Sequence, residues 1–374
     1  MIKAVLPRCV QICMDDLGWF NGMDARRRGG LPRSGMPRYH CAEDYVAINE
    51  LGKRLNMRIN AAFILGEWDP DNRLADIPYF THFKVWDNAT YIDRKEAEAC
   101  ADVIRNSPYI DMAIHGLMHS HFAPDVDDLL TSDYYHVKKR KANILPKDQL
   151  RLKLDHFFDL VEYYDFQKQI NSFIPPSFYY RWNELSQILK EYGIQYVSTI
   201  FNCSTAQDNE TLRNLLIVDE DGVLSINREN NTVPWYQYNP DLTNHEPVDG
   251  IFGTHWPNFL DFEPEDNLKV VERNVPYFEK CANRFGSMMS RDIGFWGNQA
   301  LYVQDAVLTC HADRVEIDLQ NVMQHPCRYD HFYLSVKQTP ISCTGGSFAL
   351  YEKKDGYATY KITPTGNRVI LYCK

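Results

Sequence analysis

Two histidines four residues apart, His115 and His119, follow the apolar run Tyr109-Ile-Asp-Met-Ala-Ile114. Imidazoles at i and i+4 share one side of a helical turn, and a single divalent cation bridges them once a carboxylate completes the set. Met14-Asp-Asp-Leu17 offers that carboxylate, because Asp15 and Asp16 end another short apolar run, Arg8-Cys-Val-Gln-Ile-Cys-Met14. A further apolar segment, Gly250-Ile-Phe-Gly-Thr-His255, carries His255 at its tip. Such a set performs metal-assisted hydrolysis. An ion held by two His and one Asp keeps open positions for water and an acyl oxygen. One acid then takes the proton of the attacking water, and a protonated His supplies one to the leaving group. Taken singly these residues have plainer readings, since paired Asp caps turns and a lone His is commonly a hydrogen-bonding residue. His121 lies two residues past His119, where it faces away from the same ion, and stays outside the triad.

The elements that must carry these residues alternate in type. Apolar runs at 8–14, 58–65, 109–114, 170–174 and 194–200 read as strands, with a last one at 250–255. Helical patterns fall between them at 42–56, 93–105, 147–169 and 183–192, and another follows at 265–284 with a kink at Pro276. Two short strands are expected within 214–226 and a long loop over 227–249. Alternating strands and helices imply a parallel α/β sheet or barrel, whose sites assemble at the carboxyl ends of the strands. Asp15, Asp16, His115 and His255 each stand at such an end, and His119 follows closely. After residue 295 short alternating segments separated by Thr344-Gly-Gly346, Lys354-Asp-Gly356 and Thr365-Gly-Asn367 read as an all-β unit. The expected division is 1–295 for an α/β barrel and 296–374 for a small sandwich-like domain.

Composition narrows the function classes. The 374 residues are 44% hydrophobic and 24% charged, as in a folded globular protein. A net charge of −10 disfavours nucleic-acid and anionic-membrane surfaces, leaving Arg26–Arg28 and Lys138–Lys141 as short basic patches. Ten Cys without metal-finger spacing read as reduced thiols, and no apolar run approaches the roughly 18 residues of a membrane span. The N-terminus lacks a secretory h-region, so a cytoplasmic location is expected.

The order strand-Asp-Asp-x-Gly, Asn60-Ala-Ala-Phe-Ile64, His-x-x-x-His, Phe173-Ile-Pro175 and a late His after an apolar strand resembles the polysaccharide deacetylase family with its NodB-homology domain. The resemblance covers roughly residues 8–285. It implies a distorted (β/α) barrel of about seven strands and removal of an acetyl group, N- or O-linked, from a sugar or polysaccharide, with surface-polysaccharide biosynthesis as a setting. It assigns Asp15 as general base, Asp16, His115 and His119 as ligands of one divalent ion, and His255 as general acid. Zinc is the default ion for a His/His/Asp set, and nickel, cobalt or iron fit the same ligands. The chain departs from the family at three places. Ile174 stands where an Arg holds the base Asp, with Arg181 as a later substitute. Gly116 replaces a hydroxyl residue, and the Asp-Trp pair that orients the acid His has only Trp235 and Asp249 nearby.

The aromatic content, 13% of residues, suits sugar stacking as well as core packing. Trp19 and Trp256 flank the proposed site residues and are the candidates for a sugar subsite. Two other functions stay open. One is a catalytically silent carbohydrate-binding barrel. The other is a glycoside hydrolase, which needs two carboxylates roughly 5–10 Å apart, with Glu67 and Asp15 as the available pair.

Overall fold

The computed structural model describes the chain except residues 22–33, 35, 78–85, 91, 122–131, 139–140, 202–213, 229 and 232. The basic patch Arg26–Arg28 and part of Lys138–Lys141 lie outside the described residues. A short N-terminal strand β1 (Ala4–Val5) precedes β2 (Arg8–Leu17), and β3 (Ile59–Ile64) and β4 (Ile110–Gly116) follow. A hairpin β5 (Tyr135–Lys138) and β6 (Lys141–Ile144) comes next, then β7 (Ser172–Phe173), β8 (Tyr196–Thr199), β9 (Leu216–Val218), β10 (Leu224–Asn227), β11 (Asn230–Asn231), β12 (Ile251–His255) and β13 (Ser287–Met289). Between them run α1 (Ala42–Leu55), α2 (Arg94–Asn106), α3 (Lys147–Tyr163), α4 (Trp182–Glu191) and α5 (Asn267–Ala282), the last with Pro276 inside it. The expected order of strand and helix is thus present, with ends displaced by a few residues.

The described strands build one curled ten-stranded sheet in the order β11-β12-β2-β3-β4-β7-β8-β10-β9, with β13 also on β2. Pairing is parallel from β11 to β10, and only β9 runs antiparallel. The result is a mixed α/β half-barrel, consistent with a distorted barrel plus a β region. β2 and β3 are buried almost throughout, as central parallel strands covered on both faces must be. Asp93 caps α2, its carboxylate accepting from the Lys95 and Glu96 amides.

The C-terminal region holds β14 (Val307–Cys310), β15 (Arg314–Asp318), β16 (Phe332–Val336), β17 (Pro340–Thr344), β18 (Gly346–Lys354), β19 (Tyr357–Pro364) and β20 (Arg368–Cys373). They form two four-stranded antiparallel sheets, β1-β16-β19-β18 and β14-β15-β20-β17, around a shared apolar cluster. The N-terminal strand β1 joins this region, Ala4 opposite Val336. Residues 293–305, expected as part of the all-β unit from 296 onward, form a sixth helix, α6 (Ile293–Asp305), so the expected boundary at 295/296 falls inside it. Its first ten residues are all buried, and a helix buried all round shows no amphipathic period in the sequence. Trp296 donates to the Cys9 carbonyl and Gln299 to those of Pro7 and Tyr333, so α6 ties the half-barrel to the β sheets.

Among the described residues no helix is long and apolar enough to cross a membrane, and the described cysteines are free thiols.

Candidate metal centre

Asp16, His115 and His119 converge at the carboxyl end of the curled sheet, with one ligand atom of each within 4.8 Å of the others. His115 Nε2 lies 3.3 Å and His119 Nε2 3.9 Å from Asp16 Oδ1. Ligands on a tetrahedral ion with bonds of about 2.0–2.2 Å sit about 3.3 Å apart, so this spacing accepts a cation. Asp16 Oδ1 is buried without a well-formed hydrogen bond among the described residues, as an atom awaiting a ligand would be. The residues present therefore fit the ion that the sequence implies.

Local structure explains how sequence neighbours part company here. β2 slips register against β3 between Met14 and Leu17, so the two acids occupy a bulge, and Asp16 takes φ 67°. A bulge re-aims adjacent side chains, which sends Asp16 to the histidines and Asp15 elsewhere. The histidine pair also differs from expectation. His115 belongs to β4, while His119 follows in a turn with φ 64°, so strand end and tight turn bring the rings together in place of a helical face. Their centroids are 5.2 Å apart at 71°.

The titratable groups of the site shift in different directions, Asp16 and His119 toward the forms that bind a cation and His115 away from it. For Asp16 burial pushes the pKa up, but the contact with His115 and the charges of His119 and His255 outweigh it, and the carboxyl lies below its ordinary range. For His115 burial pulls downward, and Asp16 and Asp15 reverse that to leave it raised. Burial pushes His119 down to about 4 and lowers His255 as well. His115 Nδ1–H donates to the Ile174 carbonyl at 2.6 Å, which leaves Nε2 as the free nitrogen facing Asp16.

Asp15 and His255 flank the triad. They are register partners across β2 and β12, with His255 Nε2 4.0 Å from Asp15 Oδ2 and 3.7 Å from Asp16 Oδ2. The cation that holds Asp15 is Arg228, whose Nη1 reaches Oδ1 at 2.8 Å and Oδ2 at 2.7 Å, with both residues at most 2% exposed. Sequence reasoning missed it. Arg181, the substitute expected there, bonds Glu184 at 3.2 Å. Arg228 directly follows β10, at the carboxyl end of a strand like the other site residues, and that position was the available signal. Asp249, expected near His255, pairs with Arg8 at 3.4 Å.

A second ion pair braces the histidine turn from behind. Asp133 Oδ2 accepts from the backbone amides of Leu117 and Met118, and Lys153 Nζ from α3 meets its other oxygen at 2.7 Å with neither side chain exposed. Gly116, at φ 107°, leaves this room, for a Cβ there would overlap the Asp133 carboxylate. Outer partners of metal ligands typically govern affinity by about 10–100-fold. Asp133→Asn is expected to weaken metal binding within that range and, by taking the carboxylate charge from the buried Lys153, to lower stability by about 3–5 kcal/mol as well, read by chelator competition on protein shown to be folded by circular dichroism. Lys153→Met, which strands a buried charge, is expected to lose about 3–5 kcal/mol of stability in denaturant titration.

Trp19 and Trp256 are corrected as sugar-stacking candidates. Both are 0% exposed and belong to the main core cluster, so neither offers a face to a ligand. Trp256 stacks on His40 with centroids 3.7 Å apart. His40 Nδ1–H donates to Asp44 at 2.8 Å, and its Nε2 accepts from the Ser34 hydroxyl at 2.5 Å. The Ser-His-Asp order matches a nucleophilic triad, yet all three are at most 2% exposed, and the array braces the residue after His255.

This brace has a pH signature. For Asp44 burial raises the pKa, but His40 and Arg38 overcome it and hold the carboxyl at about 2, against 3.8 when unfolded. The folded state thus binds fewer protons, so the stabilisation is complete above about pH 5 and is lost as pH falls toward 2. Burial also lowers His40, whose contribution is present above its unfolded 6.5 and fades on acidification in the same direction. Thermal midpoints are expected to fall progressively below pH 6.5, and Asp44→Asn to flatten the part of the curve below about pH 4.

The glycoside-hydrolase alternative recedes on geometry. Glu67, the other carboxylate of a glycoside-hydrolase pair, is 0% exposed and accepts from the Phe20 and Asn21 amides at 2.7 and 3.4 Å. A cavity of about 470 Å³ lies at the opposite, amino-terminal ends of the strands, lined by Arg58, Asp111, Tyr196, Asp292 and Tyr329 among others. There Arg58 pairs with Asp292 at 2.8 Å, at the strand ends away from Asp16 and the histidines.

No protein-family profile matches the chain, and no curated protein matches it in sequence. Among solved structures it is similar to Agd3, described as a novel carbohydrate deacetylase, at TM-score 0.51 and 10% identity, over 98% of this chain and 65% of that one. The chain spans 65% of that neighbour's length, and what the two share at this identity is the fold.

Proposed function

We propose that the chain is a metal-dependent hydrolase that removes an acetyl group from a sugar or polysaccharide. The carrying observation is the buried Asp16/His115/His119 set with Asp15 and His255 beside it. The likeness in fold to a carbohydrate deacetylase supports the same reading. Chemistry is assigned to the half-barrel, and the two β sheets that follow α6 serve to cap it. Zinc is the first choice for the His/His/Asp set, with nickel, cobalt or iron as alternatives.

A bound divalent ion would supply a water of lowered pKa and a polarised acyl carbonyl. The residues divide the remaining work. Arg228 grips both oxygens of Asp15 and fixes the carboxylate edge that takes the proton of the attacking water. His255, whose pKa burial lowers, stands 4.0 Å from Asp15 on the level of the same register pair, where it would pass to the departing amine or alcohol the proton taken from water. Burial of the cluster excludes competing water and strengthens each of these interactions.

The test is a panel of N- and O-acetylated sugars and oligosaccharides with acetate release as readout, beside metal analysis of protein purified without chelator. The expected result is about one divalent ion per chain and turnover of at least one acetylated sugar. Protein that neither carries nor takes up a divalent ion would sink the reading, and sugar binding with no turnover of any acylated compound would favour the silent binder.

A further inference from the structure

Trp235, Tyr236 and Tyr238 lie in the loop between β11 and β12, a stretch expected only as irregular chain. β11 runs parallel to β12 with Asn231 opposite Gly253, so the loop leaves the sheet at the end that carries His255, two residues short of its level. The wholly buried Asn258 then fastens loop and site together. Its Oδ1 accepts from the His255 amide at 2.9 Å and the Thr254 hydroxyl at 2.7 Å, while its Nδ2 donates to the carbonyls of Pro234 at 3.1 Å and Gln237 at 2.6 Å. One amide side chain therefore separates the backbone of His255 from that of the aromatic loop. The far end is pinned as well, since Asn274 of α5 accepts from Leu242 N and donates to the Pro240 carbonyl, each at 3.0 Å.

On this fixed backbone the two tyrosine rings are presented to solvent, and Trp235 is half-buried. Tyr236 is 45% and Tyr238 38% exposed, and Trp235 meets Tyr236 edge to face with centroids 5.5 Å apart. Rigid aromatics with apolar faces and polar tips match a sugar ring, which offers a C–H face rimmed by hydroxyls. Holding them in place beforehand reduces the entropy lost on binding. Trp19 and Trp256 lack that exposure, whereas Tyr236 and Tyr238 have it.

We propose that Trp235, Tyr236 and Tyr238 form a stacking subsite for a pyranose ring adjoining the ring whose acyl group reaches Asp15 and His255. The substrate class that follows is an oligo- or polysaccharide in place of a monosaccharide. This rests on the sugar-deacetylase reading and adds chain length to it.

The test uses N-acetylglucosamine and its oligomers up to the hexamer with the full chain, Tyr236→Ala, Tyr238→Ala and the double variant. In the unaltered loop kcat/KM is expected to rise with chain length. In the double variant the hexamer-to-monomer ratio is expected to fall about tenfold, the size of one or two aromatic contacts. A binding arm reads the loop without turnover: calorimetry with the hexamer in an Asp15→Asn background, where the double variant is expected to raise Kd about tenfold. Equal chain-length profiles with equal hexamer Kd, or no hexamer binding, would overturn the subsite. Absent acetate release with a loop-dependent Kd would overturn the deacetylase reading while leaving the subsite standing.

Discussion

Asp15→Asn is expected to reduce acetate release by about 10²–10⁴-fold, the usual share of a positioned general base, while the metal content stays at that of the unaltered protein. The two outcomes separate because the bulge in β2 divides the acids. Asp16 faces His115 and His119, whereas Asp15 faces Arg228 and lies beside His255. Asparagine keeps the shape and one acceptor for the guanidinium but has no basic oxygen for a proton. Because it also takes the carboxylate charge from the buried Arg228, a stability cost of about 3–5 kcal/mol is expected beside the loss of rate, and circular dichroism on the same preparation checks that the protein is folded. Rate and metal stoichiometry on the same preparation check it. An unimpaired rate would remove Asp15 from the chemistry, and loss of metal with the rate would move it into the ligand set.

His119→Ala is expected to lose both metal and turnover. Removing one of three protein ligands leaves Asp16 and His115 only, too few to hold an ion that ordinarily takes three protein ligands in a catalytic site. The same variant separates metal-linked from intrinsic stability. A ligand at 100 times its Kd stabilises the folded state by about 2.7 kcal/mol, so chelator is expected to lower the thermal midpoint of the unaltered protein and leave that of His119→Ala where it stands. The left-handed backbone at His119, φ 64°, is relaxed by neither alanine nor histidine, so backbone strain does not confuse the comparison. A variant that still binds one ion tightly would exclude His119 from the ligand set.

Much of the site was legible because its residues stand at strand ends. An apolar run stopped by acids or histidine is visible in one dimension, and parallel strands collect such ends on one face. Asp15, Asp16, His115 and His255 were found in this way, and the structure brings them together with His119. The residues that hold them were not legible. Arg228 stands 213 positions from Asp15, and Lys153 joins Asp133 from a helix that otherwise reads as one more amphipathic pattern. Partners of this kind depend on which strands become neighbours, and no local period encodes that. Trp19 and Trp256 show the opposite failure, since nearness in sequence to a site residue says nothing about which way a ring points. Helix α6 was misread for a related reason, being buried all round and so lacking the polar face that marks a helix.

From the sequence alone come the alternation of strand and helix, the β character of most of the last seventy residues, and the donor set of the candidate site. Those follow from short-range rules of periodicity, capping and residue chemistry. The tertiary structure decided the rest. It set which carboxylate meets the histidines, through a one-residue slip in register between β2 and β3. It supplied the cation for Asp15 from the end of β10 and turned the flanking tryptophans into the core. It also tied the aromatic loop to His255 through Asn258. Each is a contact between segments distant in the chain, and only the packing of the whole sheet brings such segments within bonding distance.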